Sequence, residues 1–227
     1  AGRLAIVDSA RMLKSGAGPF EAGALTPDGS NTELANYLGS AQQEMRPVWC
    51  NLDGDAGEEL VIGHGRGSRG WMEIRDDAAT GFAHLRWLKG GERPAYHAAN
   101  GETFPACGDL DADGRDEIVV GYGAGAGGWL FVIDDAQANF APLNRGEGNT
   151  PWVQRNWADY NGVNGAVYPT VGNFDADAAE EIAVGGGSGN QGWVRFYDDA
   201  LNQFRNLNVG SGVWLQLGAA GNYAATD

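Results

Sequence analysis

Short apolar runs alternate along the chain with clusters of glycine, aspartate and asparagine. The runs ELVIGH from Glu59, EIVVGY from Glu117 and EIAVGG from Glu181 each follow an acidic stretch and precede a glycine-rich one. Apolar runs of this length between turn-forming residues are typical of β-strands. Residues 31–43, the longest candidate for a helix, are interrupted by asparagine and glycine and lack an apolar stripe. The pattern therefore predicts an all-β protein without a helix.

The same order of landmarks occurs three times along the chain. Similarity begins at Arg46, Thr103 and Val167, which gives a partial unit with its linker (1–45) followed by repeat 1 (46–102), repeat 2 (103–166) and repeat 3 (167–227). Three residue types recur in register: Pro47, Pro105 and Pro169; Trp71, Trp129 and Trp193; Asp77, Asp135 and Asp199. Agreement of several landmarks in one order makes chance similarity a poor explanation.

Each repeat has room for four strands, which in repeat 2 we place at 103–107, 117–122, 129–134 and, more weakly, 151–155. Four short strands in a repeated unit of about 60 residues are typical of a β-propeller blade, whereas a β-sandwich would not need repeated landmarks. GRLAIVDSA at 2–10 aligns with GWLFVIDDA at 128–136, and 223–227 aligns with 96–100. We therefore expect three full four-stranded antiparallel blades and a partial one, belonging to a larger propeller that other polypeptide or further copies of the chain complete.

An acidic loop precedes the second predicted strand of each repeat: NLDGDAGEE at 51–59 (acidic loop 1), DLDADGRDE at 109–117 (acidic loop 2) and NFDADAAEE at 173–181 (acidic loop 3). Oxygen-bearing side chains occupy positions 1, 3, 5 and 9 of every loop: Asn51, Asp53, Asp55 and Glu59; Asp109, Asp111, Asp113 and Glu117; Asn173, Asp175, Asp177 and Glu181. Solvated acidic turns are the alternative interpretation, but recurrence of the donors in register favours a metal site.

Calcium suits these donors better than zinc, because no histidine or cysteine takes part. A backbone carbonyl near Arg115 is expected to complete the coordination sphere in acidic loop 2. Only this loop has glycine at position 6, Gly114, where a sharp turn favours positive φ. Loops 1 and 3 have Ala56 and Ala178 there, so we expect their sites to bind more weakly.

The stretch DLDADGRDEIVVGYGAGAGGWLFV, from Asp109, resembles the FG-GAP repeat of integrin α-subunit propellers and the related VCBS repeats of bacterial secreted proteins, which include integrin-like propeller lectins. The resemblance extends over all three repeats, and it rests on D-x-D-x-D-G followed by an apolar strand and a glycine-rich turn. Repeats 1 and 3 lack that glycine, and sequences such as GHGRGSRG stand where the family has its FG and GAP motifs. The resemblance implies a propeller of about seven blades with calcium in its loops.

Few residues outside the repeated pattern point to catalysis. His64, His84 and His97 occur only in repeat 1, and we expect them on the exposed surface. The aspartate pairs at 76–77, 134–135 and 198–199 resemble a hydrolase dyad, but their recurrence at the end of one strand favours turn capping or contacts between blades. We therefore expect a protein without enzymatic activity, and a polysaccharide-active enzyme is the less favoured alternative.

Aromatic residues offer a second kind of site. The repeated tryptophans are candidates for stacking on sugar rings, although packing between blades is the favoured interpretation. The ends of repeats 1 and 2 combine an aromatic face with amide donors, and their candidate glycan-binding residues are Tyr96, Asn100, Tyr160 and Asn164. Ordinary turns and rims use the same residue types. A carbohydrate-binding lectin and a structural subunit of a surface or filament assembly are thus alternative functions.

The two cysteines, Cys50 and Cys107, lie at adjacent phases of the innermost strand. A disulfide between neighbouring blades and free buried thiols are both compatible with that position, and free thiols are the favoured interpretation.

The formal net charge of -15 and the pI near 4.4 argue against a nucleic-acid partner, because a phosphate backbone would be repelled. No apolar run is long enough to span a bilayer, so we expect no membrane insertion. The first residues lack the features of a signal peptide, and we expect an export signal to have been removed. The calcium-type loops suit a compartment where calcium is plentiful, and no residue set calls for catalysis, so we expect a secreted or cell-surface calcium-binding module for recognition or adhesion.

Overall fold

The computed structural model describes residues 44–210 and 212–217 of the chain. The strand expected at residues 2–10 and the segment 223–227 lie outside this part. Within it, all strands belong to four-stranded antiparallel sheets whose strands follow one another in sequence order. Sheet 1 consists of β1 (Met45–Cys50), β2 (Glu59–His64), β3 (Trp71–Arg75) and β4 (His84–Lys89).

Sheet 2 is formed in the same way by β5 (Thr103–Gly108), β6 (Glu117–Tyr122), β7 (Trp129–Ile133) and β8 (Trp152–Gln154). Sheet 3 contains β9 (Val167–Gly172), β10 (Glu181–Gly186), β11 (Trp193–Tyr197) and β12 (Trp214–Gln216). The all-β class and the four antiparallel strands per unit are confirmed.

The second strand of each sheet lies in its interior. Every residue of β2 and β6 is buried, and so are the first four residues of β10. These strands pair on both edges and carry apolar side chains toward both faces, which explains why their sequences are continuous apolar runs. The apolar runs at 59–62, 117–120 and 181–184 therefore form the buried interior strands of the three sheets.

The three sheets pack side by side, with β5 next to both β1 and β9. Glycine makes this approach possible. A Cβ atom on Gly63 would overlap with Pro105, and one on Gly121 would overlap with Pro169. Thus the second strand of each of the first two sheets receives the landmark proline of the next sheet. Gly185, at the equivalent place in β10, has only the Tyr168 carbonyl oxygen nearby, at 3.8 Å.

Two short helices connect the sheets in the described part, so the expectation of no helix was wrong. Helix α1 (Pro94–Ala99) leads from sheet 1 to sheet 2, and α2 (Ala158–Val163) leads from sheet 2 to sheet 3. Each has six residues, which is too short to show a helical apolar period in sequence. No helix in this part of the chain is long and apolar enough to cross a membrane.

A disulfide joins Cys50 at the end of β1 to Cys107 in β5. The favoured expectation of free thiols is therefore wrong. Packing of the two first strands brings the Cα atoms to 5.6 Å, a separation that a disulfide spans readily. The bond connects neighbouring sheets, and it is compatible with an oxidising, extracellular environment.

Candidate metal centres

Each acidic loop connects the first and second strands of its sheet, and the glutamate at position 9 begins the second strand. Glu59, Glu117 and Glu181 are all at most 1% exposed. Their Oε2 atoms accept the backbone N–H of position 2, from Leu52 at 2.8 Å, from Leu110 at 2.7 Å and from Phe174. Their Oε1 atoms are buried without any hydrogen-bond partner. The same unsatisfied oxygen thus occurs in all three repeats.

Burial raises the pKa of these carboxyl groups. The pKa of Glu117 rises to about 9 and that of Glu59 to about 7, chiefly because burial disfavours the charged form, and neighbouring aspartates add to the effect. The pKa of Glu181 is raised for the same reasons. A buried carboxylate that lacks a positive partner is costly, and a bound cation removes that cost.

Carboxylate oxygens converge on each of these glutamates. In every acidic loop, two aspartates and the glutamate place ligand atoms within 4.8 Å of one another, in positions suited to a metal ion: Asp53, Asp55 and Glu59; Asp109, Asp111 and Glu117; Asp175, Asp177 and Glu181. Asp111 Oδ1 is a further buried oxygen without a partner. The donors are oxygens alone, which is the ligand type of a hard divalent cation.

The remaining loop residues serve the loop itself. Asn51 Oδ1 accepts the N–H of Gly54, and Asn173 Oδ1 accepts the N–H of Ala176. These bonds close the turn, and they leave the acidic ligand sets to positions 3, 5 and 9 in loops 1 and 3.

Acidic loop 2 differs in where its carboxylates point. Asp113 forms an ion pair with the Arg115 guanidinium, which also pairs with the buried Asp135. Asp113 consequently lies outside the converging set, and Asp109 takes part instead. The sequence led us to expect a backbone carbonyl near Arg115 as a metal ligand. It did not reveal that the Arg115 side chain brings a positive charge to the two aspartates.

Left-handed backbone occurs at position 4 in all three loops, and acidic loop 2 has it also at position 6, where it was expected. Gly54 has a φ of 82°, Ala112 of 62° and Ala176 of 70°. At position 6 only Gly114 has positive φ, 92°. The shared sharp turn is therefore made at position 4, where two of the repeats hold alanine in a conformation that costs about 1–2 kcal/mol.

Two of the three histidines are buried, which corrects their expected exposure. His64 belongs to the interior strand β2 and is 0% exposed, and His97 packs against Gly70 and is 3% exposed. Burial lowers the pKa of each to about 4, so both are neutral at physiological pH. His84 is partly exposed, and its Nδ1 lies 3.0 Å from Glu73 Oε1.

The repeated aspartate pairs cap turns, as expected. Asp77 Oδ1 accepts the N–H of Thr80 at 3.1 Å. Asp135 and Asp199 accept the N–H three residues further on in the same way, at 2.8 and 2.7 Å. The turn that follows the third strand is thus held by the second member of each pair.

Three of the four residues expected to contact a glycan are buried and form hydrogen bonds to the next sheet. The Tyr96 hydroxyl donates to the Glu102 carbonyl and accepts the N–H of Gly123 in the next sheet. Tyr160 makes the equivalent bonds with Ala166 and Gly187, and both tyrosine side chains are buried. Asn100 donates to the Ala124 carbonyl, and Asn164 accepts the N–H of Ala166. Burial and bonding of this kind argue against contact of Tyr96, Tyr160 and Asn100 with a sugar, whereas Asn164 is partly exposed and its contact with a glycan stays a prediction.

Tryptophans on the fourth strands form grooves that sequence reasoning missed. Trp152 on β8 meets Trp129 edge to face at 6.1 Å, and Trp214 on β12 meets Trp193 at 6.4 Å. The first pair lines a groove of about 570 Å³ with Arg93, and the second a groove of about 340 Å³ with Trp157. The available signal was the recurrent tryptophan in RWLK, PWVQ and VWLQ.

No family model matches the chain, and no curated protein matches it either.

Proposed function

We propose that the chain is an extracellular calcium-binding module of an FG-GAP/VCBS-type β-propeller, that it acts in recognition or adhesion, and that it has no catalytic activity. The observation that carries this proposal is the repeated buried glutamate whose Oε1 has no partner while its Oε2 is fixed by the loop backbone. Because the same buried oxygen lacks a hydrogen-bond partner in all three repeats, a common ligand explains it better than three unrelated unsatisfied groups do.

Calcium is the cation that best fits the chemistry of these sites. It binds flexible sets of carboxylate and carbonyl oxygens, and nitrogen or sulfur ligands are missing from the converging groups. The residues that would hold it are the two aspartates and the glutamate of each acidic loop. A bound ion supplies positive charge that neutralises the carboxylates and fixes the loop before the interior strand.

The propeller is supported by the way in which successive sheets repeat one contact. Gly63 receives Pro105 and Gly121 receives Pro169, whereas nothing in the described part of the chain fills the equivalent space at Gly185. On the opposite side of the array, Pro47 of β1 is exposed. We infer that a further blade packs on sheet 3, and that other polypeptide or another copy of the chain supplies it.

An extracellular role agrees with the disulfide and with the need for calcium, which is plentiful outside cells. The non-enzymatic part of the proposal is supported by the aspartate pairs. Their carboxylates accept N–H groups of turns, and Asp135 also pairs with Arg115, so these groups serve the fold.

Sugar binding at the tryptophan grooves is the second candidate function. Trp129 and Trp152 are half-buried, and the Arg93 guanidinium lies 5.6 Å from the Trp152 ring. An aromatic wall beside a cationic hydrogen-bond donor is suited to an acidic sugar. Binding on a glycan array that disappears in Trp152→Ala and persists in Tyr96→Phe would support this function; no binding to any glycan would contradict it.

Calcium uptake tests the main proposal. Isothermal titration of the EDTA-stripped chain with calcium is expected to show saturable binding that weakens in Glu117→Gln, which keeps the shape of the side chain and removes its charge. Glu92→Gln, an exposed change away from the acidic loops, serves as the control and should bind as the wild type does. Absence of calcium uptake by the wild-type chain would overturn the proposal.

A further inference from the structure

We propose that sheet 3 has a second divalent-cation centre, formed by Glu181, Asp198 and Asp199 beside acidic loop 3. The inference extends the calcium binding proposed for the loops and rests on it for the nature of the cation. None of the loop positions that resemble FG-GAP repeats includes the aspartate pair after the third strand.

The fold itself brings these three residues together. Glu181 begins β10, and Asp198 and Asp199 follow directly after β11. The two strands are antiparallel with Ile182 opposite Tyr197, so the start of one lies beside the end of the other. Ligand oxygens of the three carboxylates lie within 4.8 Å of one another.

Two of the three residues are withdrawn from solvent. Glu181 and Asp199 are both 0% exposed. Glu181 has one oxygen bonded to the Phe174 N–H and the other, Oε1, without a partner. Asp199 is fixed by Asn202, whose backbone N–H donates to Oδ1 at 2.7 Å. The Asn202 side-chain amide also donates to Asp198 Oδ1 and Asp199 Oδ2, both at 3.3 Å, but within the described part of the chain no positive charge balances the two buried carboxylates, which favours a bound counterion.

In sheet 2 an arginine side chain supplies the positive charge beside the equivalent aspartate pair. There Arg115, at position 7 of its loop, pairs with Asp135. Position 7 of acidic loop 3 is Ala179, which has no charge to offer. Among residues 44–210 and 212–217, no ion pair joins Asp198 or Asp199 to a lysine, arginine or histidine. A cation from solution takes the place of the guanidinium at Asp199, which is fully buried, whereas Asp77 of sheet 1 is partly exposed.

We place the second centre beside the loop site and not within it, because the five carboxylates do not all lie within 4.8 Å of one another. One set contains Glu181 with Asp175 and Asp177, the other contains it with Asp198 and Asp199, and only the glutamate is shared. In sheet 1 the matching pair, Asp76 and Asp77, forms no such set with Glu59. Sheet 1 thus provides an internal control for the effect of the pair alone.

Counting bound calcium tests the inference. The full chain is equilibrated with calcium by dialysis, and the metal is quantified by mass spectrometry for three double variants: Asp198→Asn/Asp199→Asn, Asp175→Asn/Asp177→Asn and the control Asp76→Asn/Asp77→Asn. Asparagine keeps the Oδ1 acceptor that caps the turn. We expect each of the first two to lose about one ion per chain, their combination to lose about two, and the control to lose none.

Three results would distinguish failure of the second centre from failure of the proposed calcium binding. If the Asp198→Asn/Asp199→Asn variant binds as many calcium ions as the wild type, the second centre is contradicted and the proposed loop sites are unaffected. A combined variant that loses only one ion shows a single shared centre, which also contradicts it. A wild-type chain that binds no calcium overturns the proposed function itself. The single variant Asp198→Asn, at a partly exposed side chain, provides the same comparison if the double variant unfolds in EDTA.

Discussion

At the scale of single residues, the free oxygen at position 9 and the aspartates around it define what each acidic loop needs. Asp111 differs from its counterparts because its Oδ1 is buried without a partner, whereas Asp53 and Asp175 are exposed. A buried ligand gains more from a bound cation than a solvated one does, because water has already been removed from it.

We therefore predict that Asp111→Ala weakens total calcium binding more than Asp53→Ala or Asp175→Ala does. The expected loss at the affected site is tenfold or more in affinity, about 1.4 kcal/mol or greater. Titration calorimetry of the three variants side by side measures it. Equal losses in all three would contradict the special role of acidic loop 2.

The pKa of Glu117 predicts how the metal-free protein responds to pH. Its folded-state pKa is raised from 4.5 to about 9, so the folded chain retains a proton that the unfolded chain has released. The free energy of unfolding of the metal-free chain must then fall as pH rises toward 9. His64 and His97 have pKa values lowered to about 4, so their titration changes the free energy of unfolding at acid pH and not above pH 7.

Thermal unfolding in EDTA at a series of pH values between 7 and 9 tests this expectation. The melting temperature should fall with rising pH, and it should fall less in Glu117→Gln, which has no proton to lose. Saturating calcium should remove most of the dependence. A metal-free profile that is flat or rises over this range would contradict the inferred protonation of Glu117.

At the scale of the elements, the three acidic loops share a left-handed residue at position 4 but differ in whether that residue is glycine. Glycine adopts its left-handed conformation without strain in acidic loop 1, but Ala112 and Ala176 must adopt it in the other two.

We predict that Ala112→Gly stabilises the chain by up to about 1 kcal/mol and that Gly54→Ala destabilises it by about 1 kcal/mol. Chemical denaturation in the presence of calcium measures both, and Ala56→Gly at position 6 is the matched control. A destabilising Ala112→Gly would show that the turn is made elsewhere.

The strands and the acidic positions were largely predictable from sequence, because each produces a local signal. The run from Glu117 to Tyr122 became β6 without a change of boundary, since continuous apolar residues between turns permit little else. The helices and the Cys50–Cys107 bond were not predictable in this way. Six residues do not reveal a helical period, and the bond depends on packing of two sheets that no local pattern specifies.

The site was predictable to the same extent. Positions 3 and 9 of every loop converge as their spacing indicated, but the diversion of Asp113 by Arg115 depends on the distant Asp135. Tyr96 and Tyr160 were misread because a buried tyrosine whose hydroxyl bonds to backbone looks, in sequence, like one that faces a ligand.

At the scale of the whole molecule, glycine and proline landmarks set the distance between successive sheets. We predict that Gly63→Ala and Gly121→Ala each destabilise the chain by about 1–3 kcal/mol, because the added methyl group overlaps with Pro105 or Pro169. Gly185→Ala is the matched control, and it should change the stability of the isolated chain by less than about 0.5 kcal/mol.

The same substitution probes the inferred next blade. If a blade with an inner-strand proline packs on sheet 3, Gly185→Ala should block that association while leaving the isolated chain folded, as size-exclusion chromatography and unfolding curves would show. A strong loss of stability in the isolated chain would mean that the space at Gly185 is already filled.

Calcium-dependent thermal stability is the most direct test of the proposed function. Ligand that binds only the folded state raises its stability by RT ln(1 + [L]/Kd), which amounts to about 2.7 kcal/mol at a calcium concentration one hundred times Kd. The melting temperature should therefore rise by several degrees when millimolar calcium replaces EDTA, should rise much less with magnesium, and should not respond in the triple variant Glu59→Gln/Glu117→Gln/Glu181→Gln. A wild-type chain that melts at the same temperature in calcium and in EDTA would contradict the assignment of the acidic loops as calcium sites.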